Sequence, residues 1–145
     1  MSSSRRHRAP RLFGLPLLVA VTLSATPLAG AGGPPPCSGH PATVVGTSGD
    51  DELAGTIHAD VIWGGGGNDR IAAGPGDDLV CAGPGDDTVL GEGGRDTLWG
   101  GGGADTMDGG SSDDTLFGGP GPDSLTGGAG DDHLARLDGN DSLAG

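Results

Sequence analysis

The stretch GPGDDLVCAGPGDDTVL, residues 74–90, contains the same five residues twice, nine positions apart. Residues 74–78 return as residues 83–87, and an aliphatic residue, Val80 or Val89, follows two places after each pair of aspartates. A nine-residue spacing of glycine, aspartate and aliphatic residues is typical of a stacked repeat and not of an ordinary globular core. The stretch therefore predicts a small structural unit that recurs along the chain.

The period extends over residues 46–144, where eleven nonapeptide units follow one another without an insertion. Glycine occupies the fourth position in nine of the eleven units, so the turns keep one design. The eighth position is always aliphatic or Met: Leu53, Ile62, Ile71, Val80, Val89, Leu98, Met107, Leu116, Leu125, Leu134 and Leu143. The sixth position is always aspartate: Asp51, Asp60, Asp69, Asp78, Asp87, Asp96, Asp105, Asp114, Asp123, Asp132 and Asp141. A Gly-rich disordered chain has no reason to keep this register.

A different kind of segment precedes the repeats. Four arginines within residues 5–11, the apolar run 12–23 and the small residues Ala29-Gly30-Ala31 match the three parts of a secretory signal peptide. The apolar run is too short for a membrane span. We expect a cleaved signal peptide at 1–31, a linker with a degenerate capping repeat at 32–45, a repeat region at 46–145, and a secreted protein without a membrane span.

The charge of the chain indicates which partners suit it. The formal net charge is −13 with 20 acidic residues, and four of the seven basic residues lie in the predicted leader. Nucleic acid is excluded as a partner because its phosphates would be repelled. Metal cations are the natural counter-charge.

Each column of the repeat has a physical function. Glycines at the first, second and fourth positions permit positive φ, and positions seven to nine form a short strand that buries only position eight. Two units then make one coil, and the repeat region forms about 5.5 coils. Stacking places the aspartates in two files along the rod, with successive aspartates of a file about 5 Å apart. Carboxylates so close together repel, whereas Ca²⁺ takes six to eight oxygens from carboxylates and backbone carbonyls. The sequence therefore predicts a chain that is disordered without calcium and folded with it.

The units GGGGNDRIA (64–72), GGGGADTMD (100–108) and GGAGDDHLA (127–135) resemble the haemolysin-type, or RTX, calcium-binding repeat GGxGxDxUx. The resemblance implies an all-β fold, a right-handed parallel β-roll, with Ca²⁺ between every second turn. The implied ligands are the eleven position-six aspartates and loop carbonyls, among them those of Gly65, Gly67, Gly74, Gly76, Gly83 and Gly85. At most nine ions fit between the turns, with the best sites expected around Asp69, Asp78 and Asp87. Imperfect loops at 58–59, 95, 111–112, 122 and 136–137 make a smaller number the expectation.

The two cysteines are expected to pair. Cys37 begins the degenerate unit 37–45, and Cys81 occupies the outward ninth position of its unit. A chain segment of five residues spans the distance, and two cysteines in an exported protein have one possible intramolecular pairing. The prediction is a Cys37–Cys81 disulfide that folds residues 37–41 over Trp63.

The outward ninth positions also suggest a second kind of function. In even-numbered units they place Trp63, Trp99 and Phe117 on one face, so a protein or cell-envelope partner could dock there. Catalysis has little support, because only about 14 residues of the mature chain lie outside the repeats and the carboxylate pairs recur with the calcium register. We expect no enzymatic activity. The alternatives to a calcium-binding protein are an adhesion module and a remnant of a larger RTX enzyme or toxin.

Overall fold

The structure is a computed structural model that describes residues 36–135 and 138–145. The predicted signal peptide, most of the linker, and the loop departure at 136–137 lie outside the described residues. Within the described ranges the chain forms fourteen strands joined by turns, without a helix. The fold is the predicted parallel β-roll.

Two six-stranded parallel sheets form the roll, and successive strands along the chain alternate between them. The odd sheet contains β4 (Glu52–Ala54), β6 (Arg70–Pro75), β8 (Thr88–Gly93), β10 (Thr106–Ser111), β12 (Ser124–Ala129) and β14 (Ser142–Ala144). The even sheet contains β3 (Val44–Val45), β5 (Val61–Trp63), β7 (Leu79–Pro84), β9 (Thr97–Gly102), β11 (Thr115–Phe117) and β13 (His133–Ala135). A separate antiparallel hairpin pairs β1 (Pro36–Cys37) with β2 (His40–Pro41).

The register confirms that two nonapeptides make one coil. Ile71 pairs with Val89 in the odd sheet, and Val80 pairs with Leu98 in the even sheet, so hydrogen-bonded neighbours are one coil apart. Val44 of the degenerate unit pairs in the same way with Ile62. Parallel strands that stack in this way turn a nine-residue sequence period into a continuous column of identical positions.

The core is the column of eighth-position side chains. From Ile62 to Leu125 these side chains are at most 1% exposed, and Val44, Leu53 and Leu134 pack against them with partial burial. In the last described strand, β14, Leu143 is 36% exposed because no other coil among the described residues covers it. The aliphatic column is therefore buried in proportion to the number of coils stacked around it.

The strands are longer than the sequence pattern predicted. Three residues per strand were expected, but β6 to β10 have six each, because the glycine-rich positions one to three continue the ladder. Gly101 of β9, for example, donates its N–H to the carbonyl of Gly118 at 2.9 Å. Ala73 and Ala82, both at the first position, are fully buried, so this position faces inward as well.

The predicted disulfide is confirmed. Cys37 and Cys81 are bonded, with their Cα atoms 5.7 Å apart, and Cys37 is 1% exposed. The hairpin turns at Ser38 (φ 48°) and Gly39 (φ 88°), and β1 lies against β5, which ends in Trp63, and β7. The bond thus attaches the hairpin to the outer face of the even sheet.

Candidate metal centre

The position-six aspartates bind the coils to each other through one carboxylate oxygen. The Oδ1 atom of Asp78 accepts the backbone N–H of Asp60 at 2.7 Å, and that of Asp87 accepts the N–H of Asp69 at 2.7 Å. The same bond recurs, one coil apart, at every step of both files. One file runs along each edge of the roll, and Oδ1 has a structural function in both.

The other oxygen, Oδ2, has no hydrogen-bond partner in eight of these aspartates, although the atom is buried. The eight are Asp69, Asp78, Asp87, Asp96, Asp105, Asp114, Asp123 and Asp141. A buried acceptor without a donor is strongly unfavourable, and more so when it is ionised. A regular series of such atoms indicates sites for a cation.

First-position glycines show where Oδ2 points in their own units. A Cβ added to Gly109 would lie 2.5 Å from Oδ2 of Asp114 and 2.7 Å from the carbonyl oxygen of Gly127 in the next coil. The two oxygens therefore converge beside a residue that has no side chain. The prediction of positive φ at the first position is wrong: where glycine stands there, it allows a close approach to Oδ2, and positive φ is confined mainly to positions two and four.

The six glycines whose carbonyl oxygens are predicted as metal ligands lie in or beside turns and have positive φ. Gly65 and Gly67 have φ of 112° and 106°, and the other four predicted glycines also have positive φ. A Cβ added to the corresponding glycine one coil further on would collide with the carbonyl oxygen of Gly65, Gly67, Gly76, Gly83 or Gly85. Gly74 pairs in register with Glu92. The turns therefore place carbonyl oxygens between successive coils.

The donor set fits calcium. Among residues 36–135 and 138–145, no three acidic, His or Cys side chains converge as a metal cluster, so a cation would need backbone carbonyls in addition to carboxylates. Hard cations with oxygen ligands in flexible geometry match such a set, and Ca²⁺ is the common example. Bound calcium would compensate the negative charge of the Oδ2 atoms, which have no hydrogen-bond donor.

The buried carboxylates in the middle of the roll are hard to ionise without metal. Burial, followed by the repulsion of neighbouring aspartates, raises the pKa of Asp96 to about 7 and that of Asp105 to about 6. The pKa values of Asp69, Asp78, Asp87, Asp114 and Asp123 are also raised, with burial as the main cause. Asp60 differs: burial raises its pKa, but hydrogen bonds from Thr56 and Thr43 outweigh this and lower it.

These shifts predict that acid promotes folding of the metal-free chain. Asp96 and Asp105 have folded-state pKa values above the ordinary value of 3.8, so their ionisation disfavours the folded form. The penalty is complete above about pH 7 and declines as the pH falls towards 3.8. Strand content in chelator, followed by circular dichroism, should rise from pH 8 to pH 5. The Asp96→Asn/Asp105→Asn variant should show a flatter profile, whereas a falling profile in the parent chain would contradict the assignment.

Comparison with known proteins supports the same centre. The family model described as the RTX calcium-binding nonapeptide repeat (4 copies) matches residues 45–80, 82–116 and 108–143, which is more than half of the chain. The chain belongs to the RTX calcium-binding repeat family. Searches of curated proteins and of solved structures found no match.

In this RTX chain the predicted aspartates are not all equivalent. Asp51 and Asp60 have their Oδ2 atoms occupied by Thr47 and Thr56, and Asp132 is not among the residues with an orphaned oxygen. Neither threonine was predicted as a site residue, although both stand at position two of the first two units, where most later units have glycine.

The outer face of the even sheet holds the predicted aromatic row. The Trp99 and Phe117 rings stack with their centroids 3.9 Å apart, and both residues and Trp63 are half-buried. Part of the apolar row is therefore covered within the chain. Among residues 36–135 and 138–145, the RTX chain has no helix that is long and apolar enough to cross a membrane.

Proposed function

We propose that this chain is an extracellular calcium-binding protein whose folding is driven by Ca²⁺ between its stacked turns. The observation that carries the proposal is the series of eight buried Oδ2 atoms without a donor. Membership of the RTX repeat family supports calcium as the cation. The position-six aspartates and the loop carbonyls would be its ligands.

The coupling of binding to folding follows from electrostatics. Two unit charges about 5 Å apart repel by about 3 kcal/mol at an effective dielectric of 20, and each file repeats this repulsion at every coil. In the unfolded chain the carboxylates separate and are hydrated, so only the rolled state is penalised. A cation that binds the rolled state alone stabilises it by mass action.

Two features of the chain support export. Residues 1–31 match a signal peptide, and Cys37 and Cys81 form a disulfide, which is typical of oxidising compartments. Extracellular calcium modules commonly have dissociation constants of about 10⁻⁴ to 10⁻³ M. Such an affinity would keep the chain unfolded before export and fold it outside the cell.

We further propose that the chain has no enzymatic activity of its own, because its buried carboxylates recur with the repeat and all but Asp60 have the same structural bond through Oδ1. The alternative function, docking of a partner on the Trp63, Trp99 and Phe117 face, has less support. The stacking of Trp99 on Phe117 and the hairpin on β5 and β7 already cover part of that face.

Equilibrium dialysis tests the proposal directly. We expect several Ca²⁺ ions per chain to bind with a midpoint of about 10⁻⁴ to 10⁻³ M, and Mg²⁺ at the same concentration to replace them poorly because it keeps its water and demands a rigid octahedral site. Absence of bound calcium at 10 mM, a concentration about tenfold above that range, would contradict the proposed function. Amino-terminal sequencing of the protein from culture medium tests export, with residue 32 as the expected first residue.

A further inference from the structure

In the first coil, residues 46–63, the aspartate side chains have hydrogen-bond partners that most later coils do not provide. Asp51 Oδ2 accepts the backbone N–H of Thr47 at 2.6 Å and the Thr47 hydroxyl at 2.9 Å. Asp60 Oδ2 accepts the N–H of Thr56 at 2.6 Å and the Thr56 hydroxyl at 2.8 Å. Two donors thus reach the oxygen atom that is orphaned in most later turns.

Asp60 is satisfied on its other oxygen as well. The hydroxyl of Thr43, in the degenerate unit, donates to Asp60 Oδ1 at 3.1 Å, while the backbone N–H of Thr43 donates to the Val61 carbonyl at 2.7 Å. Protein donors therefore reach both oxygens of a carboxylate that is only 7% exposed.

The backbone conformation at position two determines whether Oδ2 of the aspartate has a hydrogen-bond donor or none. The second-position residue has positive φ in all seven units from Gly65 to Gly119, including Glu92 at 74°. Gly65 and Gly101 direct their N–H groups to carbonyls of the next coil, at 3.0 and 2.9 Å. Thr47 and Thr56 do not have positive φ, and their N–H groups point to the aspartate of their own turn instead. Because β-branched residues avoid positive φ, threonine itself imposes this conformation.

We infer that Thr47 and Thr56 take the place of calcium in the first coil, so that its two turns are complete without metal and the metal sites begin with Asp69 and Asp78. This inference rests on the proposed function and refines it, since it removes Asp51 and Asp60 from the predicted ligands. The metal-independent coil lies beside the disulfide-bonded hairpin, at the end of the roll that holds β3 and β4. It provides a preformed edge on which the calcium-dependent coils stack.

The test counts calcium ions in the full chain by equilibrium dialysis, with circular dichroism as a check of folding. Thr47→Gly/Thr56→Gly restores the consensus residue at position two, frees both Oδ2 atoms and should increase the number of bound ions. Thr47→Val/Thr56→Val keeps the β-branch, so the backbone N–H of each residue still donates to the aspartate, and this variant should bind the same number as the parent. An unchanged ion count in a folded glycine variant would overturn the inference.

A second pair of variants decides the matter if the glycine variant does not fold. Asp51→Asn/Asp60→Asn should keep the ion count of the parent chain, because the amide oxygen still accepts from threonine and no metal is lost. Asp96→Asn, the matched control at an orphaned position, should bind fewer ions. Loss of ions from the Asp51→Asn/Asp60→Asn variant would overturn the inference, whereas absence of calcium from the parent chain would overturn the proposed function instead.

Discussion

Removal of calcium is expected to convert the repeat region from parallel β-structure to a largely unfolded chain. The reason lies in the interior: seven of the eight aspartates with an orphaned Oδ2 are at most 3% exposed, and the pKa of all seven is raised by burial and by neighbouring carboxylates. Near neutral pH the metal-free roll must either retain uncompensated buried charge or bind protons. Both alternatives favour the open chain.

Circular dichroism of the purified chain in chelator and in 10 mM calcium, a concentration chosen about tenfold above the expected midpoint, measures this effect. We expect a far-ultraviolet spectrum without strand structure in EGTA, a cooperative gain of strand signal on calcium addition, and reversal by further EGTA. Mg²⁺ at the same concentration is the control for ionic strength and should produce little change. A fully formed roll in chelator at pH 7.5, or a chain that stays unfolded in calcium, would contradict the coupling of binding to folding.

The second large effect is expected from the substitution Gly103→Ala, which should destabilise the roll, whereas alanine at the adjacent Gly102 should be tolerated. Gly103 has φ 138°, and a Cβ there would collide with the Gly85 carbonyl of the previous coil and lie 3.0 Å from Asp86 Oδ1. Backbone strain of this kind costs about 1–3 kcal/mol for a residue with a side chain, and the collision adds to it. Gly103→Ala should therefore lower the free energy of unfolding by at least about 1–3 kcal/mol and raise the calcium midpoint of folding, because more binding free energy is then needed to form the roll.

Gly102→Ala is the matched control. Gly102 does not have positive φ, and a Cβ added to it would meet no atom within 4 Å. Its substitution should change the free energy of unfolding by no more than about 0.5 kcal/mol. Calcium titrations of the parent chain and both variants, followed by circular dichroism, compare the two positions. Equal midpoints for Gly103→Ala and Gly102→Ala would show that the turn tolerates a side chain at position four.

The calcium-binding role was accessible from the sequence because aspartate recurs at each sixth position, from Asp51 to Asp141, and the RTX pattern is specific. The pattern did not reveal how the two oxygens of each carboxylate differ. Oδ1 bonds to the coil before it and Oδ2 is left without a donor, a division that depends on the distance between stacked backbones. For the same reason the inward-facing first position, seen at Ala73 and Ala82, was not predicted.

By itself, the sequence determined the nine-residue register, the two units per coil and the buried aliphatic column, because each of these follows from spacing along the chain. It also determined the pairing of Cys37 with Cys81, because the chain has only these two cysteines. Only the tertiary structure decided which carboxylate oxygens accept hydrogen bonds from the protein and which have no donor. That distinction depends on the backbone angle at position two, which turns the N–H of Thr47 and Thr56 towards aspartate and the N–H of Gly65 and Gly101 towards the next coil. The direction of an N–H group is set by φ and by the neighbouring coil, and neither can be obtained from the period of the repeat.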